Sequence, residues 1–185
     1  TSFPPINYHG THVSGSVAGD KQAGGSVSSP TQSGYDPDDG MAPNAQILFQ
    51  DIGAAAGLSG LGGSNMWKQA HDAGAYIHSN SYGSGTAGEY VGSDQNLDRT
   101  LRNLENMIIA VAAGNDGSGQ NTTGSPGNAK NSLTVGALNH GNSASVAGFS
   151  SRGFTDDGRL KPDISATGVG IISASGDESN GNSVE

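Results

Sequence analysis

The chain has 185 residues, 32% of them hydrophobic, and a formal net charge of -9 from 17 acidic and 8 basic residues. That length suits a single domain over residues 1–185, and an acidic balance without a basic stripe excludes nucleic acid and anionic membrane surfaces as partners. With no cysteine there are no disulfides or thiolate metal sites, and no apolar run in the sequence reaches membrane-spanning length.

Leu, Ile, Val and Phe make up only about a sixth of the chain, a proportion that together with the net charge resembles disordered composition. They are gathered into short runs, however, as a buried sheet requires. In chain order, "HGTHVSGSVAG" reads as a helix from about His9, with Val13 and Val17 on one face and small residues allowing close packing. Residues 21–41 carry turn chemistry throughout and read as a surface loop. "AQILFQDI", residues 45–52, is a strand candidate. "SNMWKQAHDAG" is a short helix capped by Ser64 and ended by Gly74. "AYIHSNSYG" is a strand running into a turn. Leu97, Leu101 and Leu104 mark an amphipathic helix with Ser93 as its expected N-cap. "MIIAVAAGNDG" and "NSLTVGAL" are two further strands, and short strands and turns follow Leu138. Strands alternating with helices predict an α/β fold, a mostly parallel sheet with helices on both faces. In such sheets the active groups gather beyond the carboxyl ends of the strands, here "SNSYG" and "AAGNDG".

Two motifs carry chemistry. An imidazole at the start of the first helix meets the positive end of the helix dipole, which suits the neutral form that a general base requires. Asn115 follows a buried strand and a Gly114 turn, where its carboxamide can donate to an oxygen that becomes negative in a tetrahedral intermediate. Base and oxyanion donor together point to acyl transfer.

At these motifs the sequence resembles the subtilisin-like serine proteases. "HGTHVSG" matches the family's histidine motif and "AAGNDG" its oxyanion motif, which implies His9 as general base and Asn115 as oxyanion donor. "GMAPNAQIL", "SNSYG", "FSSRG" and "KPDISATG" follow in the family's order across nearly the whole chain. The resemblance further implies that Ser81, Tyr82 and Gly83 form one wall of the primary specificity pocket and that Ala112, Ala113 and Gly114 form the other. It implies polypeptide substrates lying alongside as an added strand, a secreted enzyme, and calcium as a structural ion.

The departures from the family pattern are equally specific. None of the eight residues before His9 is Asp or Glu, so the orienting carboxylate of the triad is absent from the chain. "GNSVE" resembles the family's serine motif only loosely, with Ser183 as a degenerate nucleophile, and the expectation is that the chain stops before the true one. Since it opens on Thr1 and not Met, upstream sequence is expected as well. The chain then reads as an incomplete part of a catalytic domain, inactive by itself, whose partners include the missing parts of that domain. The contrasting reading is a non-catalytic binding module on a protease scaffold; a nucleotide-binding α/β domain is a weaker third.

Other signals have plainer readings. His9 and His12 are three apart with no Glu between them, unlike a zinc pair, and His12 is expected to be structural. His71, His78 and His140 read as surface or satisfied core residues. Asp36, Asp38 and Asp39 form a solvated turn, with calcium the alternative that clustered carboxylates leave open. "GAAAGLSGLGGSN" lacks the Lys-Ser/Thr ending of a phosphate loop and reads as a surface or substrate-side loop.

Overall fold

The computed structural model describes residues 8–21, 36–54, 57–58, 64–141, 145–174 and 182–184. In chain order the elements are α1 (His9–Ala18), β1 (Gly53–Ala54), β2 (Gly57–Leu58), α2 (Ser64–Asp72), β3 (Ile77–Asn80), α3 (Gly92–Asn103), β4 (Ile108–Ala112), β5 (Leu133–Leu138), β6 (Gly153–Phe154), β7 (Leu160–Lys161), β8 (Ile164–Thr167), β9 (Ile172–Ala174) and β10 (Asn182–Val184). The chain divides into two compact units, Thr1–Phe49 with Gly170–Glu185, and Gln50–Val169.

In the first unit α1 lies against β9, itself paired antiparallel with β10. The small residues of α1 make this approach possible. A Cβ on Gly15 would come within 2.7 Å of the Ala174 side chain, so only glycine fits there. Ser173 donates to the His12 carbonyl at 2.7 Å, and His12 Nε2 is 3.2 Å from the Ile171 carbonyl, which makes His12 the structural histidine its position suggested. The last turn of α1 would otherwise leave its carbonyls open. Met41 and Ala42 donate to the carbonyls of Ser16 and Val17 at 3.0 and 2.7 Å and close it.

In the second unit four strands form one sheet in the order β3-β4-β5-β8, every neighbouring pair parallel. The fold class is the expected one, a mostly parallel sheet with helices. Helices α2 and α3 pack together, and Met66, Trp67 and Ala70 of α2 meet Leu97 of α3 and Ile109 and Val111 of β4 in the core. Burying side chains the size of Trp67 and Leu97 contributes on the order of 2–3 kcal/mol each. Trp67 also donates through Nε1 to the Asn80 carboxamide oxygen at 3.3 Å, so the buried indole keeps a polar partner. Along β4 burial alternates: Ile109 and Val111 face the helices, while Ile108 is exposed on the other face with Ile77 and Ile164.

Two expectations change. Residues 45–52 form no strand, and Ile47, Leu48 and Phe49 are exposed; among the described residues no neighbouring strand pairs with them. The N-cap of α3 is Val91 and not Ser93. Asp94, at the third helical position, accepts from the Val91 amide at 2.9 Å, while the Ser93 hydroxyl bonds that of Ser125.

Candidate functional site at the carboxyl end of the sheet

At the carboxyl ends of β3, β4, β5 and β8 the second unit carries a groove of about 280 Å³. Ser81, Ala112, Ala113, Gly114 and Asn115 all line it, as does Gly168 beyond β8. The other two residues expected of the pocket wall do not line it. Tyr82 turns to the core, where burial pushes its hydroxyl up to about 12. Gly83 lies against the Ser125 carbonyl, 2.8 Å from where a Cβ would stand.

The strand β4 ends because the backbone turns at Gly114, which has φ +112°, a conformation that favours glycine. Asn115 follows, exposed at the groove mouth. It makes no hydrogen bond among the described residues, whereas its neighbours on both sides do: Gly114 accepts from the Ser151 amide at 3.0 Å, and Asp116 donates to Ser151 Oγ at 3.0 Å. The arrangement therefore leaves one carboxamide uncommitted on a tightly held turn, able to donate to a negative oxygen placed in the groove.

A third segment that sequence reasoning had passed over ties the two walls together. Gly124 donates to the Ala113 carbonyl at 3.0 Å, and Ser84 and Ser125 exchange backbone hydrogen bonds, both of 3.0 Å. The signal in "TTGSPG" is its Gly and Pro content, which announces a turn and not its partners.

His9 is the first residue of α1 in the first unit, half-buried, with Tyr8 as N-cap. The backbone of Ser183 lies in β10, opposite Ser173, and so in a strand and not at a helix start. His71 Nε2 is 2.8 Å from the Asn106 carboxamide oxygen and its ring meets Tyr76 edge-on. His78 Nε2 is 2.8 Å from Gln50 Oε1. In the acidic turn, the Lys21 ammonium pairs with Asp38, Asp39 accepts from the Lys21 amide at 3.0 Å, and Asp36 accepts from the Asp38 amide at 2.9 Å. Asp39 Oδ2 is buried without a hydrogen-bond partner among the described residues, and among those residues no group of three or more His, Cys, Asp or Glu is arranged to hold a metal ion.

The family comparison adds to this geometry: the Subtilase family profile covers residues 2–184. The chain belongs to the subtilase family. Among curated relatives of this subtilase, serine protease AprX of Bacillus subtilis (strain 168) is 36% identical over 179 residues, covering 90% of this chain and 39% of AprX. Pyrolysin of Pyrococcus furiosus is 31% identical, covering 90% of this chain and 15% of pyrolysin. Among solved structures, sphericase superposes with a TM-score of 0.68 at 27% identity, covering 96% of this chain and 57% of sphericase. Patellamide maturation protease PatA does so with a TM-score of 0.64 at 27% identity, covering 90% and 54%. The subtilase chain thus spans about two fifths of AprX and somewhat over half of sphericase and PatA. Among the described residues no helix is long and apolar enough to cross a membrane.

Proposed function

We propose that this chain carries the general base and the oxyanion donor of a secreted subtilisin-like serine endopeptidase, with the catalytic Asp and the nucleophilic Ser lying outside it. The observation that supports this reading best is Asn115, exposed and without a hydrogen bond at the carboxyl end of β4 in a subtilase chain. In the proposed reaction His9 takes the proton of the serine hydroxyl as that oxygen attacks the substrate carbonyl, and returns it to the leaving amine as the peptide C–N bond breaks. The Asn115 carboxamide donates to the oxygen that bears the negative charge of the tetrahedral intermediate. Water then attacks the acyl-enzyme by the same route in reverse. The substrate is an extended polypeptide, its side chain before the scissile bond seated in the groove between Ser81 and residues 112–114.

Residues 1–185 alone lack two members of the triad on this reading and retain almost no activity, because the triad acts as a unit. The test is hydrolysis of an unstructured protein by the complete polypeptide that contains this chain. The reading expects hydrolysis, and a loss of several powers of ten in His9→Ala. A complete polypeptide that hydrolyses nothing, or whose rate ignores His9→Ala, overturns it and favours a binding module on the same scaffold.

A further inference from the structure

The turn that presents Asn115 is held from behind by residues 149–151, and Thr122 Oγ1 also donates to the Gly117 carbonyl at 3.0 Å. Ser151, 0% exposed, grips the residues on both sides of Asn115: its amide donates to the Gly114 carbonyl at 3.0 Å and its Oγ accepts from the Asp116 amide at 3.0 Å. One position further along, Gly117 donates to the Phe149 carbonyl at 2.8 Å. The neighbouring Ser150 anchors this segment to the sheet, its Oγ accepting from the Ala137 amide of β5 at 3.0 Å. Space is equally constrained. A Cβ on Gly114 would stand 2.9 Å from Ser151 Oγ, so the hydroxyl occupies room that a side chain at 114 would need.

The geometry points to Ser151 as the residue that positions the oxyanion donor, acting through the backbone on either side of Asn115 without touching substrate. This inference rests on the proposed role of Asn115. Physically, an oxyanion donor contributes only when it is fixed in advance, since a group that must reorganise during the reaction spends its stabilising energy on that motion. Both bonds restrain the peptide units adjoining Asn115, and loss of the Oγ acceptor frees the one on its carboxyl side.

The test is a double-mutant cycle in the complete enzyme, with Asn115→Ala and Ser151→Ala read as separate kcat and KM values. Ser151→Ala is expected to lower kcat by about ten- to a hundredfold with little change in KM, the scale that a misplacement of about 1 Å produces. In the Asn115→Ala background the same substitution is expected to cost nothing more, since it acts through a group already removed. Ser151→Cys, which keeps the volume and weakens the acceptor, is expected to fall between wild type and Ser151→Ala. Amide exchange supplies a readout independent of turnover: in either variant the Asp116 amide loses protection while the Gly117 amide keeps it. If Asn115→Ala itself leaves kcat unchanged, the oxyanion reading fails and this inference with it. If Asn115→Ala lowers kcat but Ser151→Ala costs the same in both backgrounds, or nothing in either, Asn115 keeps its role and Ser151 is only scaffold.

Discussion

Lys161 and Asp163 form an ion pair with unequal ends: the ammonium is 3% exposed, the carboxylate 35%, and they are 2.7 Å apart. The pair sits at the amino-terminal entrance of β8, away from the groove, and stitches β8 to β5. The Asp163 carboxylate accepts from the Thr134 amide at 2.7 Å, and Lys161 also donates to the Ser132 carbonyl and to the hydroxyls of Ser132 and Thr134. Removing the carboxylate leaves a buried charge with only neutral acceptors, which costs about 3–5 kcal/mol in such settings. Removing the ammonium leaves a carboxylate that water can reach. Asp163→Ala is therefore expected to destabilise more than Lys161→Met, read as urea midpoints with Trp67 fluorescence; the opposite order would contradict this account of the pair.

Asp94 is fully buried at the first turn of α3, and burial holds its carboxyl above the usual carboxylate range despite the hydrogen bond from the Val91 amide. The folded state then binds this proton more tightly than the unfolded chain does, so stability falls as pH rises from the ordinary value of 3.8 to the raised one. Asp94→Asn keeps an oxygen for the Val91 amide and removes the buried charge. Thermal unfolding followed across that range is expected to lose this slope, and at neutral pH the variant is expected to be at least as stable as the parent. A large loss of stability at neutral pH would show that the charge itself holds the helix start.

The opposite sign applies to His78, whose ring burial pushes below the ordinary histidine value of 6.5. Its Nε2–H donates to Gln50, whose own amide donates to the Met66 carbonyl at 3.0 Å, linking β3 to α2. The unfolded chain takes up the proton first, so this contribution is complete above pH 6.5 and is lost progressively as the pH falls to the lowered value. His78→Gln retains a donor toward Gln50 and cannot titrate. Its unfolding midpoint is expected to be flatter than the parent's between pH 7 and 5; an unchanged pH profile would remove His78 from the explanation.

How much of this was legible in the sequence depends on how far each partner lies along the chain. Strands β3, β4 and β5 are readable because apolar runs bounded by turn residues can hardly serve anything but a sheet. The run at residues 45–52 carries the same signal without becoming a strand, because composition reports what a strand needs and not whether a neighbour is there to supply the ladder. Ser93 looked like the cap of α3 since local rules favour a serine, yet its hydroxyl is taken by Ser125, 32 positions away. The hold of Ser151 on Asp116 spans 35 positions and has no local signature. His9 and Asn115 stood out as candidates because motif and chemistry coincide there, whereas Tyr82 faces the core, a direction that its motif does not encode.

The central claim, that Asn115 stabilises the charge developing on a peptide carbonyl, is tested most directly by kcat and KM for a chromogenic peptide amide with the complete enzyme and its Asn115→Ala variant. Loss of one such donor is expected to lower kcat by about 10²–10³-fold while KM stays within a small factor. An unchanged kcat, or a loss confined to KM, would contradict the account.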